Sequence, residues 1–193
     1  MNKEKYEKIL NAAEKLFNRF GIKKTAIDEI AELADVAKGT IYNNFGTKEK
    51  LFKALIDKKI SEFEFFVNKT AKELQDPIGQ LQFILKERIK MLKDNPMLFD
   101  KALGVKEKQL KDFRQKLDFL SKQILQKVVE RSFTRNFSIQ DKNQVIDTIL
   151  FTLSGIEQKI RDSIDTISIK DFDKDIDFII KLIFKQNNQI NPG

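Results

Sequence analysis

The sequence contains no cysteine, no histidine and no tryptophan among its 193 residues. The lack of cysteine excludes disulfides, and the lack of both cysteine and histidine excludes Cys/His zinc sites. Catalysis that needs either residue as nucleophile or base is excluded as well. No motif for carboxylate-only or Ser/Lys chemistry is present. We therefore expect a chain that is not an enzyme, with no catalytic residues, no metal site and no cofactor.

Turn-forming residues are also scarce, with 3 prolines and 7 glycines, whereas apolar residues make up 41% of the chain and charged residues 34%. This composition is sufficient to bury a core and leaves few breaks, so it favours an all-α fold. No apolar run approaches the length of a membrane span. Residues 1–8 carry both signs of charge, unlike a secretory signal. We expect a cytoplasmic location and no membrane partner.

The formal net charge of +7 and the isoelectric point near 9.4 favour a polyanionic partner. The excess is densest at the N-terminus, where residues 1–60 contain 13 Lys and Arg against 9 Asp and Glu. A general bias toward lysine gives the same result without any function. Charge alone is therefore a weak indication of nucleic-acid binding.

The first part of the chain has the periodicity of three helices. Apolar residues from Lys3 to about Phe20 recur every three or four positions, and Gly21 follows where a C-terminal cap is expected. Thr25 begins a pattern typical of a capping box and so predicts the start of a second, short helix. A three-residue connection at 35–37 leads to a third helix over 38–45. Two short helices joined in this way are typical of a helix-turn-helix.

Residues 9–55 closely resemble the DNA-binding domain of TetR-family transcriptional regulators. The matching features are the run AAEKLF, Gly21, Thr25 with Ile30-Ala31, the segment KGTIY and the segment FGTKEKLF. The resemblance implies a helix-turn-helix domain over residues 1–47. It also implies a larger helical domain over 48–187 that binds an effector and dimerises. Together with the periodicity of the remaining chain, this predicts about nine helices.

Three features depart from the family pattern: Asp35, Ala37 and the pair Asn43-Asn44. Asp35 stands where the family usually has glycine, and aspartate tolerates a left-handed backbone better than most residues. Ala37 replaces the usual Ser or Thr cap of the third helix, a loss of about 1 kcal/mol of helix stability. Asn43 and Asn44 stand where aromatic, His or basic residues are common. These amides leave the fold intact but make the base preference unpredictable.

The third helix supplies most of the predicted DNA contacts. Its N-terminus suits a phosphate, and Thr40 and Asn43 lie opposite the apolar Ile41 and Phe45, where they are expected to reach base edges. Tyr42 resembles the family tyrosine that donates to a phosphate; the alternative is a ring packed on the first helix. The predicted DNA-binding residues are Thr25 (foremost a cap), Lys38, Gly39, Thr40, Tyr42, Asn43, Asn44 and Lys48.

Phenylalanine is concentrated in the rest of the chain: 13 of the 17 lie after residue 60, whereas both tyrosines lie before it. The simpler interpretation is that these rings fill the core. The alternative is an apolar pocket for a lipophilic effector, since a pocket without Tyr, Trp or His has few polar groups. The predicted lining residues are Phe83, Phe99, Phe113 and Phe151.

The last two predicted helices carry broad apolar faces with small residues nearby. The resemblance implies a two-fold dimer formed by these helices of each subunit; the alternative is that the same faces pack within one subunit. The predicted interface residues are Ile146, Leu150, Leu153, Phe172, Ile176, Ile179 and Ile183.

These observations predict a TetR-like transcriptional regulator. It is expected to act as a repressor that binds a near-palindromic operator as a homodimer and is released by a small, lipophilic effector. The expected partners are double-stranded DNA, a second copy of the chain and that effector. The alternatives are a helical protein- or membrane-surface-binding module without sequence-specific DNA binding, and a helical enzyme with converging carboxylates.

Overall fold

A computed structural model describes residues 2–74, 76–98, 107–132, 138–162, 173–178 and 180–181. The regular structure of these described residues is helical throughout, and none of them lies in a strand. The prediction of an all-α fold is therefore confirmed.

The N-terminal part forms α1 (Lys3–Lys24), α2 (Ile27–Leu33) and α3 (Lys38–Phe45). The bounds of α3 are those predicted. Gly21 has a φ of +79°, as expected of a residue that interrupts a helix, but one further turn follows it before α1 ends. The predicted break after Phe20 is therefore confirmed, and a short helical turn continues α1 beyond it to Lys24.

The remaining described chain is also helical. The elements are α4 (Lys48–Glu73), α5 (Pro77–Asp94), a 3-10 turn (Pro96–Leu98), α6 (Glu107–Ser132) and α7 (Ile139–Asp162). Residues 173–178 and 180–181 are helical too and belong to the predicted last helix. The 3-10 turn buries Met97 and Leu98, and residues 99–106 lie outside the described residues.

Side-chain caps explain where two of these helices begin. The Asp76 carboxylate accepts hydrogen bonds from the backbone N–H groups of Ile78 and Gly79, at 3.1 and 2.8 Å. Ser138 and Asp141 form a capping box: Ser138 Oγ accepts from the Asp141 N–H at 3.1 Å, and Asp141 accepts from the Ser138 N–H at 3.0 Å. The hydrogen bonds from the Ser138 hydroxyl and backbone lower the pKa of Asp141.

The chain divides into two compact units. The first contains Met1–Glu62 and Asp94–Gln115, and the second contains Phe63–Lys93 and Lys116–Gly193. In the first unit Phe17 and Phe52 are fully buried and meet edge to face, with ring centroids 5.9 Å apart. Because α4 contributes residues to both units, the boundary between residues 47 and 48 stays a prediction.

Among the helices of the described residues, none combines the length and the apolar character that a bilayer crossing requires. The same part of the chain holds no grouping of three or more His, Cys, Asp or Glu side chains suited to a metal ion.

Candidate nucleic-acid interface

One face of α3 is anchored in the core of the first unit. Ile41 and Phe45 are 1% and 6% exposed. The ring of Tyr6 in α1 stacks on Phe45, with centroids 5.2 Å apart and planes inclined by 28°. In α2, Ile30 is fully buried. These apolar contacts fix which side of α3 faces outward.

The turn between α2 and α3 uses the left-handed conformation predicted at Asp35. Its φ is +54°, and no other non-glycine residue in the described ranges has a positive φ. The Asp35 N–H donates to Glu32 O at 3.1 Å, and the Val36 N–H donates to Ala31 O at 3.0 Å. Aspartate therefore serves here in place of glycine, and the turn holds α3 against α2.

The opposite side of α3 is open to solvent. Lys38, Gly39, Asn43 and Asn44 are exposed, Tyr42 is 44% exposed, and Thr40 is half-buried. A Cβ placed on Gly39 would meet nothing within 4 Å, so a nucleic-acid backbone has room to approach it closely. The Tyr42 ring is thus not buried against α1; Tyr6 makes the aromatic contact there.

Two details of α3 affect how its polar groups are available. Ala37 offers no side-chain cap, and the Thr40 N–H donates to Ala37 O at 2.8 Å. Asn44 Nδ2 donates to Thr40 O at 2.6 Å, so part of its amide is engaged within the helix. Asn43 is the exposed amide whose side chain points outward from the middle of α3.

Thr25 is buried at the end of α1. Its side chain is 1% exposed, and its Oγ1 donates to Gly21 O at 2.8 Å. The hydroxyl therefore closes the last turn of α1, whereas the predicted role was to cap the start of α2. A side chain this buried does not support the predicted phosphate contact. The capping box is shifted as well: Ala26 precedes α2, and the Glu29 carboxylate accepts the Ala26 N–H at 2.7 Å.

Lys48 connects the start of α4 to the end of α1. Its Nζ donates to Thr25 O at 3.0 Å and to Lys23 O at 3.5 Å. Cations stabilise helix C-termini, so this ammonium has a structural role that the sequence did not indicate. Its contact with a phosphate stays a prediction.

An ion pair between Lys38 and Asp28 at this interface was not predicted. Lys38 Nζ lies 2.9 Å from Asp28 Oδ2, between the first residue of α3 and the first turn of α2. The hydrogen bond from Lys38 to Asp28, followed by their charge attraction, raises the pKa of Lys38. Ten residues separate the two in the sequence, so only the fold brings them together.

The four phenylalanines predicted to line a pocket have different environments. Phe83 is half-buried, Phe113 is buried, and Phe99 lies outside the described residues. Phe151 is 81% exposed. A ring so exposed does not line an enclosed cavity of its own chain, so that part of the prediction is wrong.

The predicted dimer residues need correction too. Ile146, Leu153 and Ile176 are 2%, 2% and 1% exposed within the single chain, so they pack inside one subunit and have no surface left for a partner. Leu150 is half-buried. Phe172, Ile179 and Ile183 lie outside the described residues. For the three buried residues, this burial favours the alternative of packing within one subunit.

The outward face of α7 is a different set of residues. It carries Phe151 beside Thr148, Ser154 and Gly155 on successive turns; all four are exposed, and a Cβ on Gly155 would meet nothing within 4 Å. On the last described helical stretch Phe178 is 62% exposed. We call Thr148, Phe151, Ser154 and Gly155 the outer face. Apolar periodicity missed it because most of its members are small or polar.

The fold and the exposed face of α3 define a helix-turn-helix DNA-binding domain. A family model of bacterial regulatory proteins of the tetR family matches residues 9–55. Residues 9–55 are therefore a TetR-family helix-turn-helix domain, as the sequence predicted.

Curated relatives match the same part of the chain. The HTH-type transcriptional regulator YhgD of Bacillus subtilis is 42% identical over 64 residues, which are 33% of this chain and 34% of that protein. The regulator TtgR of Pseudomonas putida is 35% identical over 78 residues, 40% of this chain and 37% of that protein. The similarity thus spans little more than a third of these relatives.

Solved structures match over nearly the whole chain. A transcriptional regulator from Cytophaga hutchinsonii superposes with a TM-score of 0.75 over 93% of this chain and 96% of its own, at 23% identity. FadR from Bacillus subtilis, solved with stearoyl-CoA, superposes with a TM-score of 0.68 over 93% of this chain and 97% of its own, at 16% identity. At these identities the likeness shows the fold: an N-terminal helix-turn-helix and a larger helical part.

Proposed function

We propose that this protein is a transcriptional repressor that binds a near-palindromic DNA operator through α3. The observation that carries the proposal is the placement of α3, with Ile41 and Phe45 held in the core and a polar, cationic side left open. The net charge of +7 supports association with a polyanion. The curated relatives of the matched domain are themselves transcriptional regulators.

The residues of the open side divide into two roles. Thr40 and Asn43 are proposed to contact base edges, since an asparagine amide pairs with adenine and a threonine methyl packs on thymine. Lys38, Gly39, Tyr42, Asn44 and Lys48 are proposed to contact the phosphate backbone, which positions the protein without reading sequence.

A dimer is the second part of the proposal. One α3 covers only a few base pairs, and a two-fold pair of them reads two half-sites about one helical turn apart, on a near-palindromic site. We propose that the outer face forms the contact, because Phe151 is 81% exposed there and Gly155 permits close approach of a second helix.

Release by a small lipophilic molecule is the third part. Such an effector lowers DNA affinity only as far as it prefers the conformation that binds DNA poorly. The abundance of phenylalanine after residue 60 favours an apolar ligand. The fold of FadR holds stearoyl-CoA, so this fold is able to accommodate a long acyl chain.

Selection of bound sequences from a random DNA pool tests the DNA-binding part. We expect a near-palindrome with half-sites about one helical turn apart. Asn43→Ala is expected to lose roughly 1–3 kcal/mol of discrimination at one base position per half-site. Asn44→Ala is the matched control, because its amide is engaged with Thr40 O, and it should keep the wild-type preference. Equal affinity for every sequence and for heparin would contradict the proposal and favour a surface-binding module.

The effector is tested with stearoyl-CoA and a free C18 fatty acid, with coenzyme A alone as the polar control. At least one acyl compound is expected to raise the melting temperature and to weaken operator binding by about fivefold or more. Coenzyme A alone should do neither. If no acyl compound changes melting or DNA affinity, the proposed lipophilic effector class is wrong, while the DNA-binding proposal is unaffected.

A further inference from the structure

The ion pair between Asp28 and Lys38 lies on the surface proposed to receive DNA. Its Nζ–Oδ2 distance is 2.9 Å, and the side chains of Lys38 and Asp28 are 50% and 66% exposed. Lys38 is the first residue of α3, the helix proposed to enter the groove. The pair therefore connects the first turn of α2 to the start of the reading helix, where a phosphate is expected to approach.

A carboxylate and a phosphate bind a lysine ammonium in the same way. Both are anionic oxygen acceptors that take a charge-assisted hydrogen bond from the ammonium. In the free protein Asp28 Oδ2 accepts this hydrogen bond from Lys38 Nζ. When a phosphate accepts the hydrogen bond from Lys38 instead, Asp28 loses this partner. Its carboxylate then lies close to the negative DNA backbone, and like charges at short range repel.

We infer that Asp28 acts as an intramolecular substitute for a phosphate: it holds Lys38 in the free protein and lowers the affinity for DNA, because binding must exchange the carboxylate for a phosphate. The inference rests on the proposed function of α3 and concerns the strength of that function. It assigns to Asp28 a role in setting affinity that none of the predicted contact residues has.

The exchange affects all DNA sequences in the same way. Phosphate contacts carry no direct sequence information, so the competition from Asp28 weakens operator and unrelated DNA by the same factor. Asp28 thereby shortens the time that the protein spends on any DNA, while the choice of sequence stays with Thr40 and Asn43.

The test compares Asp28→Asn with Asp35→Asn in the full-length protein. Both variants remove one negative charge, Asp35 is exposed in the adjacent turn, and asparagine also tolerates a left-handed φ. We expect Asp28→Asn to bind operator and unrelated DNA about three- to fivefold more tightly, the upper part of the range given by an exposed ion pair. Asp35→Asn should change either affinity by less than about twofold. Fluorescence anisotropy at fixed salt measures both.

Lys38→Gln and the double variant Asp28→Asn/Lys38→Gln complete a double-mutant cycle. Lys38→Gln should weaken binding and reduce the slope of log affinity against log salt by about 0.9 for each phosphate that the protein no longer neutralises. In the Lys38→Gln background, Asp28→Asn should have no more effect than Asp35→Asn. Thermal melts establish that each variant folds, and Asp28→Ser replaces Asp28→Asn should the latter unfold.

Several outcomes would overturn the inference. Weaker binding by Asp28→Asn would mean that Asp28 positions Lys38 for DNA. If Asp35→Asn raises the DNA affinity equally, or if Asp28→Asn still raises it in the Lys38→Gln background, the change in net charge alone explains the effect. If the wild type binds DNA and Asp28→Asn binds it with the same affinity, the inference about Asp28 is wrong but the proposed function stands. If the wild type binds no DNA, the proposed function is wrong as well.

Discussion

Arg88→Met is expected to lower the free energy of unfolding by about 3–5 kcal/mol, the cost of breaking a buried ion pair by removing one partner. Arg88 is only 1% exposed in α5. Its Nε donates to Glu157 Oε1 at 2.8 Å, its Nη1 to Ser121 Oγ at 2.8 Å and its Nη2 to Asp118 Oδ1 at 2.6 Å. One side chain thus joins α5, α6 and α7. Methionine fills similar volume but leaves the Glu157 carboxylate, 8% exposed, without its cation.

Lys86→Met supplies the control for this prediction. Lys86 also lies in α5 and pairs with an acid, Asp177, at 3.1 Å, but the two side chains are 35% and 37% exposed. A pair with that exposure contributes at most about 1 kcal/mol. Chemical denaturation at fixed protein concentration compares the two variants.

A double variant separates the buried charge from changes in packing. Arg88→Met/Glu157→Leu removes both buried charges and should recover a large part of the stability, because apolar residues of similar volume often replace a buried pair without cost. If Arg88→Met costs no more than Lys86→Met, or if the double variant is no more stable than Arg88→Met, the buried charge is not the cause of the destabilisation.

Phe151→Glu is expected to convert the proposed dimer to monomers and to weaken binding to the proposed operator by about 10²–10⁴-fold. Phe151 is 81% exposed in the single chain, so the fold does not need the ring, and a carboxylate on the outer face would be buried against the partner subunit in the proposed two-fold dimer. Without a dimer, each half-site binds alone, and the protein no longer gains effective concentration from linking two reading helices.

Phe65→Glu is the matched control, since Phe65 is 66% exposed on α4 and outside the outer face. Analytical ultracentrifugation should find a dimer for Phe65→Glu and a monomer for Phe151→Glu, with both variants folded by circular dichroism. A Phe151→Glu protein that remains dimeric would place the interface elsewhere.

Local patterns predicted the parts of the fold that depend on neighbours in the sequence. The bounds of α3, the burial of Ile41 and Phe45, and the left-handed turn at Asp35 all follow from helical periodicity and backbone preference over a few residues. These predictions are correct because the interactions that decide them are short-range.

The errors come from interactions between residues distant in the sequence. Apolar periodicity marked Ile146 and Leu153 as part of a packed face but did not say whether that face meets its own chain or a partner; the structure places them inside. Arginine is ordinarily a surface residue, so nothing in the sequence indicated that Arg88 is buried. Its partners lie 30, 33 and 69 residues away, beyond the reach of any local pattern.

The short length of α3 affects how loss-of-binding alleles should be interpreted. A helix of 8 residues without a side-chain cap is not stable by itself in water, so its order depends on the contacts of Ile41, Phe45 and Tyr6. A genetic screen for failure to bind DNA will therefore recover Tyr6, which faces the core, together with Asn43, which faces outward. Mapping the DNA contacts genetically consequently requires a parallel measure of folding for each allele.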